Sequence, residues 1–238
     1  MKTLNLFTAL TLVAALALLP GCGDTKAPED IPRAVTNTDA PAVPAEPAEA
    51  PMEAVPDAPV ETPDPAEAPV AAAEPTTYIL EANDESLIGF TGYKVTGNQQ
   101  GGWSEFAGTV ELPEGTIESG KINIVIQMAS LFSGNSILTE TLHDESWFNI
   151  AGFPEATFTS SKIEKTDEGY KVTGDLTMRG ITKNISFPAQ IAIEGDQLKT
   201  QAKFALNRSE WGIKSEGFAG DLVQDEVVVE FDVVANKS

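Results

Sequence analysis

Lys121-Ile122-Asn123-Ile124-Val125-Ile126-Gln127-Met128 decides the fold. Its even positions are all apolar and its odd positions mostly polar, the period of a strand with one buried face. Working outward, the same alternation recurs. Phe106, Gly108, Val110 and Leu112 face one way, with Ala107, Thr109 and Glu111 opposite. Ile185, Phe187, Ala189, Ile191 and Ile193 form another row, and Val227, Val229, Phe231 and Val233 a third, opposite Glu226, Glu230 and Asp232. These patterns predict strands near 86–96, 102–112, 119–128, 155–164, 169–178, 181–193, 197–207 and 225–235. Turn signals separate them at Gly97 to Gly102, Pro113 to Gly120, Asp167 to Gly169 and Glu194 to Asp196. Many short strands at such spacing make an all-β sandwich or barrel.

One stretch breaks the pattern. In 129–154, Ser133-Gly134-Asn135 reads as a helix start, and Ile137, Leu138 and Leu142 fall at helical spacing. Gly152 and Pro154 end it, after the aromatic pair Trp147-Phe148. A closed eight-stranded antiparallel sheet has room inside either for packed side chains or for one small ligand. Periodicity leaves both open.

The remainder of the chain is different material. Residues 23–77 hold twelve of the sixteen prolines and twelve acids, with Lys26 and Arg33 the only bases. Such a composition buries too little apolar surface to offset chain entropy, and it reads as a disordered acidic tether. Before it, Lys2 precedes an apolar run from Leu4 to Leu19, shorter than a membrane span needs and typical of a cleaved export signal. Residues 78–238 carry every Trp and Tyr and form one domain.

The formal net charge of −21, from 15 basic and 36 acidic side chains, argues against nucleic acid as a partner. One Cys excludes an intramolecular disulfide or a Cys-cluster metal site, and one His excludes sites built from several imidazoles. His143, Asp144 and Ser146 are sequence neighbours on one short helix. No Gly-x-Ser-x-Gly elbow accompanies them, so neither a hydrolase nor a metal centre is expected.

Two resemblances sharpen this reading. Leu19-Pro20-Gly21-Cys22 resembles the lipobox of bacterial lipoproteins, with Pro20 where that motif prefers Ala, Ser, Thr or Val. The resemblance implies a signal peptide over 1–21, diacylglyceryl transfer to the Cys22 thiol, and acylation of the new N-terminus. Gly23 is not the Asp that retains such proteins at the inner membrane in well-studied enterics, which implies the outer membrane.

The second resemblance covers nearly all of 78–238. Ser86-Leu87-Ile88-Gly89-Phe90 with Gly101-Gly102-Trp103-Ser104-Glu105-Phe106-Ala107-Gly108, then Leu142 to Phe148 and Gly152-Phe153-Pro154-Glu155-Ala156-Thr157-Phe158, resemble the YceI family of bacterial periplasmic proteins. So do Tyr170 to Lys183, Phe204 to Ile213, and Gly220-Asp221 to Val227. Thr141-Leu142-His143 stands where the family often has His-Leu. The resemblance implies a lipocalin-like eight-stranded barrel with a short helical insert, which binds polyisoprenoids or other long-chain lipids.

The expected ligand contacts are the inward row Phe90, Phe106, Val110, Ile124, Ile126, Phe158, Leu176, Phe187, Phe204, Val229 and Phe231, with Leu142, Trp147, Phe148 and Phe153 at the mouth. Arg208 with Trp211 suggests a guanidinium over an indole; alternatively, Arg208 or Arg179 meets a polar lipid head. No cofactor is expected beyond the bound isoprenoid or other long-chain lipid, and the membrane is a partner through Cys22. A homodimer is left open. The rival expectation is a filled-core interaction module displayed on the envelope.

Overall fold

The computed structural model describes residues 26–37, 74–214 and 223–238. The signal segment, Cys22, most of the proposed tether and Gly220-Asp221 lie outside the described residues. Within them, the alternating stretch becomes β6 (Lys121–Gln127), with Ile122 and Ile126 buried inside. Around it run β2 (Thr76–Glu81), β3 (Leu87–Lys94), β4 (Gly97–Trp103), β5 (Phe106–Leu112), β7 (Leu131–Ser133), β8 (Glu155–Thr166), β9 (Gly169–Met178), β10 (Ile181–Glu194), β11 (Gln197–Asn207) and β12 (Val223–Lys237). A two-residue strand β1 (Val35–Thr36) precedes them, and one helix, α1 (Ser136–His143), lies between β7 and β8.

Three pairs of these segments are single bent strands. β2 and β3 both run antiparallel to β12, and β4 with β5 and β7 with β6 continue each other in the same way. The bend after β2 is filled by Ser86, whose hydroxyl accepts from Val234 N at 3.1 Å. Counted as long strands, eight antiparallel strands follow one another and close where β12 meets β2 and β3. This is the barrel, with alternate side chains inward.

Two strand expectations need correction. The first strand begins at Thr76 rather than 86, and the glycine-rich stretch 97–102, expected as a turn, is strand β4. Its glycines serve close packing. A Cβ on Gly101 would sit 2.4 Å from the Phe132 carbonyl and 2.6 Å from the Phe90 ring. Gly174 in β9 is covered in the same way by the Phe158 ring. The glycines therefore leave room for two inward aromatic rings. The turn itself is Val95-Thr96, and the β9–β10 hairpin turns on Arg179 (φ 49°) and Gly180 (φ 69°), both left-handed as a tight hairpin requires.

The tether expectation is corrected over residues 26–37, which lie on the barrel. β10 and β11 pair directly only between Gln190↔Gln201 and Glu194↔Gln197. Beyond that the two strands separate, and 33–37 fills the seam. Val35 and Thr36 pair antiparallel with Ser186 and Ile185. Arg33 bridges in parallel to Ala205, with Ala205 N donating to Pro32 O at 2.9 Å and Ala34 N to Ala205 O at 2.8 Å. Ala34 packs against the barrel core, while Val35 faces out. Ahead of this strap, Ala27 and Ile31 cover Tyr93, Ala205 and Val228 on the outer wall. Composition missed the segment because each anchoring residue is small or lies within a proline-rich background.

Candidate functional site

The barrel has two unequal halves. Around β2 the interior is packed by Leu80, Leu112, Ile163, Val172 and Leu198, leaving a void of about 40 Å³. The other half holds a cavity of about 470 Å³. Between them lies an aromatic floor: Phe187 stacks on Phe204 at 4.4 Å between centroids, with Phe231 stacked at 6.4 Å and Phe158 tilted at 5.6 Å. Offset aromatic groups at such distances hold one another rigidly.

Most of the expected row lines this cavity: Phe90, Ile124, Ile126, Phe158, Leu176, Phe187, Phe204, Val229 and Phe231 from the strands, and Leu142, Trp147 and Phe148 from the insert. Arg208 also reaches it. Four expected residues do not. Phe106 is buried in the wall without lining the cavity, and Val110 lines the small void below the floor. Phe153 sits outside against the Arg179-Gly180 hairpin, close to Gly180. Trp211 is buried behind the lining, its indole N–H donating to Leu176 O at 3.1 Å.

Trp103, Ile88, Met178, Ile185, Leu206 and Ile213 line the cavity and were not singled out. Leu206 and Met178 continue the rows of Phe204 and Leu176 by two residues, so the period could have found them. Trp103 was hidden by reading the glycines before it as a turn. Its ring bridges Phe90 at 5.4 Å and Phe148 at 5.9 Å, joining wall to insert.

The mouth is built around Arg208. The Arg208–Trp211 stack expected from sequence is not formed. The Arg208 guanidinium lies over the Trp147 ring instead, 5.0 Å from its centroid, so it fastens the insert to the barrel. Its Nη1 donates to Ile213 O at 2.7 Å and its Nε to Gln224 O at 3.1 Å, with Asp225 3.2 Å from Nη2. Burial lowers its pKa and Asp225 opposes this. A guanidinium nevertheless keeps its charge throughout the physiological range. Arg179 makes a second fastening, donating from Nη1 to Gly212 O and from Nη2 to Glu145 O at 3.1 Å. Both arginines thus spend donors on backbone carbonyls.

α1 is started by Asn135, whose side chain accepts from Ile137 N and Leu138 N at 2.9 and 3.3 Å. The cavity reaches the surface there and at the β3–β4 hairpin, where exposed Asn135 and Thr96, with Lys94 and Gln99, form its polar rim. His143 Nε2 is buried without a hydrogen-bond partner, and Ser146 is exposed. Among the described residues no group of three His, Cys, Asp or Glu could hold a metal ion. Nor is any helix among them long and apolar enough to cross a membrane.

A closed antiparallel barrel, hollow at one end over an aromatic floor and fitted with a helical insert at the mouth, is a lipocalin-like barrel with an apolar cavity. Known proteins agree with that class. The model of the YceI-like domain matches residues 78–235, and the chain belongs to that family. A UPF0312 protein of Photorhabdus laumondii is 36% identical over 95 residues, 40% of this chain and 50% of that protein. One of Yersinia enterocolitica is 31% identical over 96 residues, with the same coverage. The chain spans about half the length of the curated relatives it matches. Among solved structures, BcnA of Burkholderia cenocepacia superposes with a TM-score of 0.59 at 25% identity, over 63% of this chain and 96% of that one. A polyisoprenoid-binding domain from Saccharophagus degradans superposes with a TM-score of 0.53 at 14% identity, over 68% of this chain and 98% of its own, a likeness of fold.

Proposed function

We propose that the protein is an envelope lipoprotein, anchored through acylated Cys22 on the periplasmic side of the outer membrane. There it sequesters or carries one long-chain apolar lipid: a polyisoprenoid, a quinone-type lipid or a fatty-acid derivative. The observation that carries this reading is the cavity of about 470 Å³ between the aromatic floor and the Arg208–Trp147 mouth. Its volume falls within the ~300–1,000 Å³ of ordinary ligand sites. Left unfilled, an apolar space of this size forgoes packing contacts that an apolar guest would supply. Water is a poor filler, because a buried water needs two to four polar partners and the wall is aliphatic and aromatic. An alkyl or prenyl tail satisfies such a wall by contact alone. Side-chain chemistry is not required of the site, so the reading is a binding protein rather than an enzyme.

Native mass spectrometry of the gently extracted protein tests it. The expected spectrum shows the acylated chain with an additional co-purifying mass of a few hundred daltons, displaced by added fluorescent fatty acid. An unoccupied barrel that takes up neither fatty acid nor prenyl probe would favour the filled-module alternative.

A further inference from the structure

The strap changes where an anchor at Cys22 would hold the barrel. If the chain were loose from residue 23 to β2, the domain would hang from Thr76. That point is at the packed end, where Tyr78 pairs with Lys237. The described segment ahead of the strap instead starts at Lys26, four residues after Cys22. Those four steps span at most ~14 Å. The contacts of this segment run from the level of the aromatic floor, at Ser186 and Ala205 beside Phe187 and Phe204, towards the mouth. Ala27 clusters with Tyr93, Ala205 and Val228, and Tyr93 itself lines the cavity. Arg33 Nε meets Glu226 at 2.6 Å near the start of β12. Thr36 Oγ1 donates to Glu210 at 2.7 Å, in the turn that carries Arg208. Asn37 Nδ2 donates to Asn184 Oδ1 at 2.8 Å. The described segment 26–37 therefore lies along the outer wall between the aromatic floor and the mouth.

The rim carries the matching surface. Val95 at the tip of the β3–β4 hairpin is 52% exposed, and Ile137 on the first turn of α1 is 73% exposed. They flank rim residues of the cavity, Lys94 and Thr96 on one side, Asn135 and Leu138 on the other. Exposed aliphatic residues at the entrance of an apolar cavity suit a bilayer surface, into which such side chains sink ~5–10 Å.

Resting on the lipid-anchor reading, we infer that the open end of the barrel docks on the membrane that holds the anchor. Val95 and Ile137 dip into the interface, and the strap is the clamp that sets this orientation. Because the net charge of −21 is repelled by anionic lipid, the contact is apolar and local, and it strengthens with salt.

The test uses the full chain, exported and acylated at Cys22, in vesicles of phosphatidylethanolamine containing brominated phosphatidylcholine. A dye is attached through Val95→Cys or, at the packed end, Asp196→Cys. Flotation with the vesicles plus severalfold stronger quenching at position 95 than at 196 is the expected result. Flotation with equal quenching at both positions overturns the docking surface and leaves the anchor standing. Failure to float removes the anchor reading and the docking with it. Ala27→Glu combined with Ile31→Glu, both on the outer wall, should abolish the contrast between 95 and 196 while flotation and uptake of soluble fatty acid persist. If the contrast survives, the strap is not the clamp.

Discussion

Arg208 shows what a single residue contributes and how far sequence reaches at that scale. Its importance was legible, since a basic residue beside an indole near the end of a β domain suggests packed closure. Its partner was not, because Trp147 lies 61 positions away on a different element and only the folded chain brings it to 5.0 Å. Replacing Arg208 with Met keeps bulk but removes the donors to Ile213 O and Gln224 O. The buried Ile213 carbonyl left without its donor costs about 1–3 kcal/mol, and the part-buried bond to Gln224 O and the cation–π contact are lost as well. Arg208→Met is therefore expected to destabilise the barrel by about 2–4 kcal/mol in urea unfolding. A loss within measurement error would mean that the guanidinium holds nothing. Phe187 is the complementary case: alternation placed it inward correctly, but periodicity could not say that it forms a floor. It lines both the large cavity and the small void beneath. Phe187→Ala should cost about 3–5 kcal/mol and join the two spaces. Competition between a short and a long fatty-acid probe should then shift towards the longer chain, whereas unchanged selectivity would show that the floor does not measure length.

Elements divide by how local their cause is. β6, β9, β10 and α1 appear where the pattern predicts them, because a two-residue or helical period together with its turn or cap is written within a dozen residues. β4 and the strap were missed because their cause is remote: the glycines of β4 answer the carbonyl of Phe132, and the strap answers a seam between β10 and β11. The strap supplies backbone partners to Ala205 and Asn184 that would otherwise face water at an open edge. Ala34 is its inward residue. Ala34→Glu would press a carboxylate against the apolar core, at a cost of a few kcal/mol that detachment of the strap avoids. The expected outcome is a folded barrel whose amides at Ser186 and Ala205 lose hydrogen-exchange protection together, while those of β6 and β8 keep theirs. Unchanged protection at the seam would mean that 33–37 does not form part of the wall.

At the scale of the molecule, the fold is a compromise between a packed half that supplies stability and a hollow half that surrenders it. The barrel, its strand count and its helical interruption were legible, since they are sums of local periods and turns. Whether the interior was filled was not, because inward Phe, Ile and Val rows are equally compatible with contact across the barrel and with contact to a guest. The difference lies in how the rings lean. Phe90 and Phe158 lie back over Gly101 and Gly174 instead of crossing the axis, and this leaves the upper interior open. The hollow half must then depend on its occupant more than an ordinary domain depends on a ligand. A tail bound at a hundred times its dissociation constant stabilises the native state by about 2.7 kcal/mol. For a domain of this size each kcal/mol moves the melting temperature by about 2–4 °C. Stripping the protein of bound lipid should therefore lower its melting temperature by about 5–10 °C, and adding back a prenyl or fatty-acid probe should restore it in a concentration-dependent way. In scanning calorimetry of the stripped and refilled protein, coincident transitions would mean that the cavity holds no guest that matters to the fold. A difference that scales with the logarithm of probe concentration would identify the filled upper half as part of the folded state.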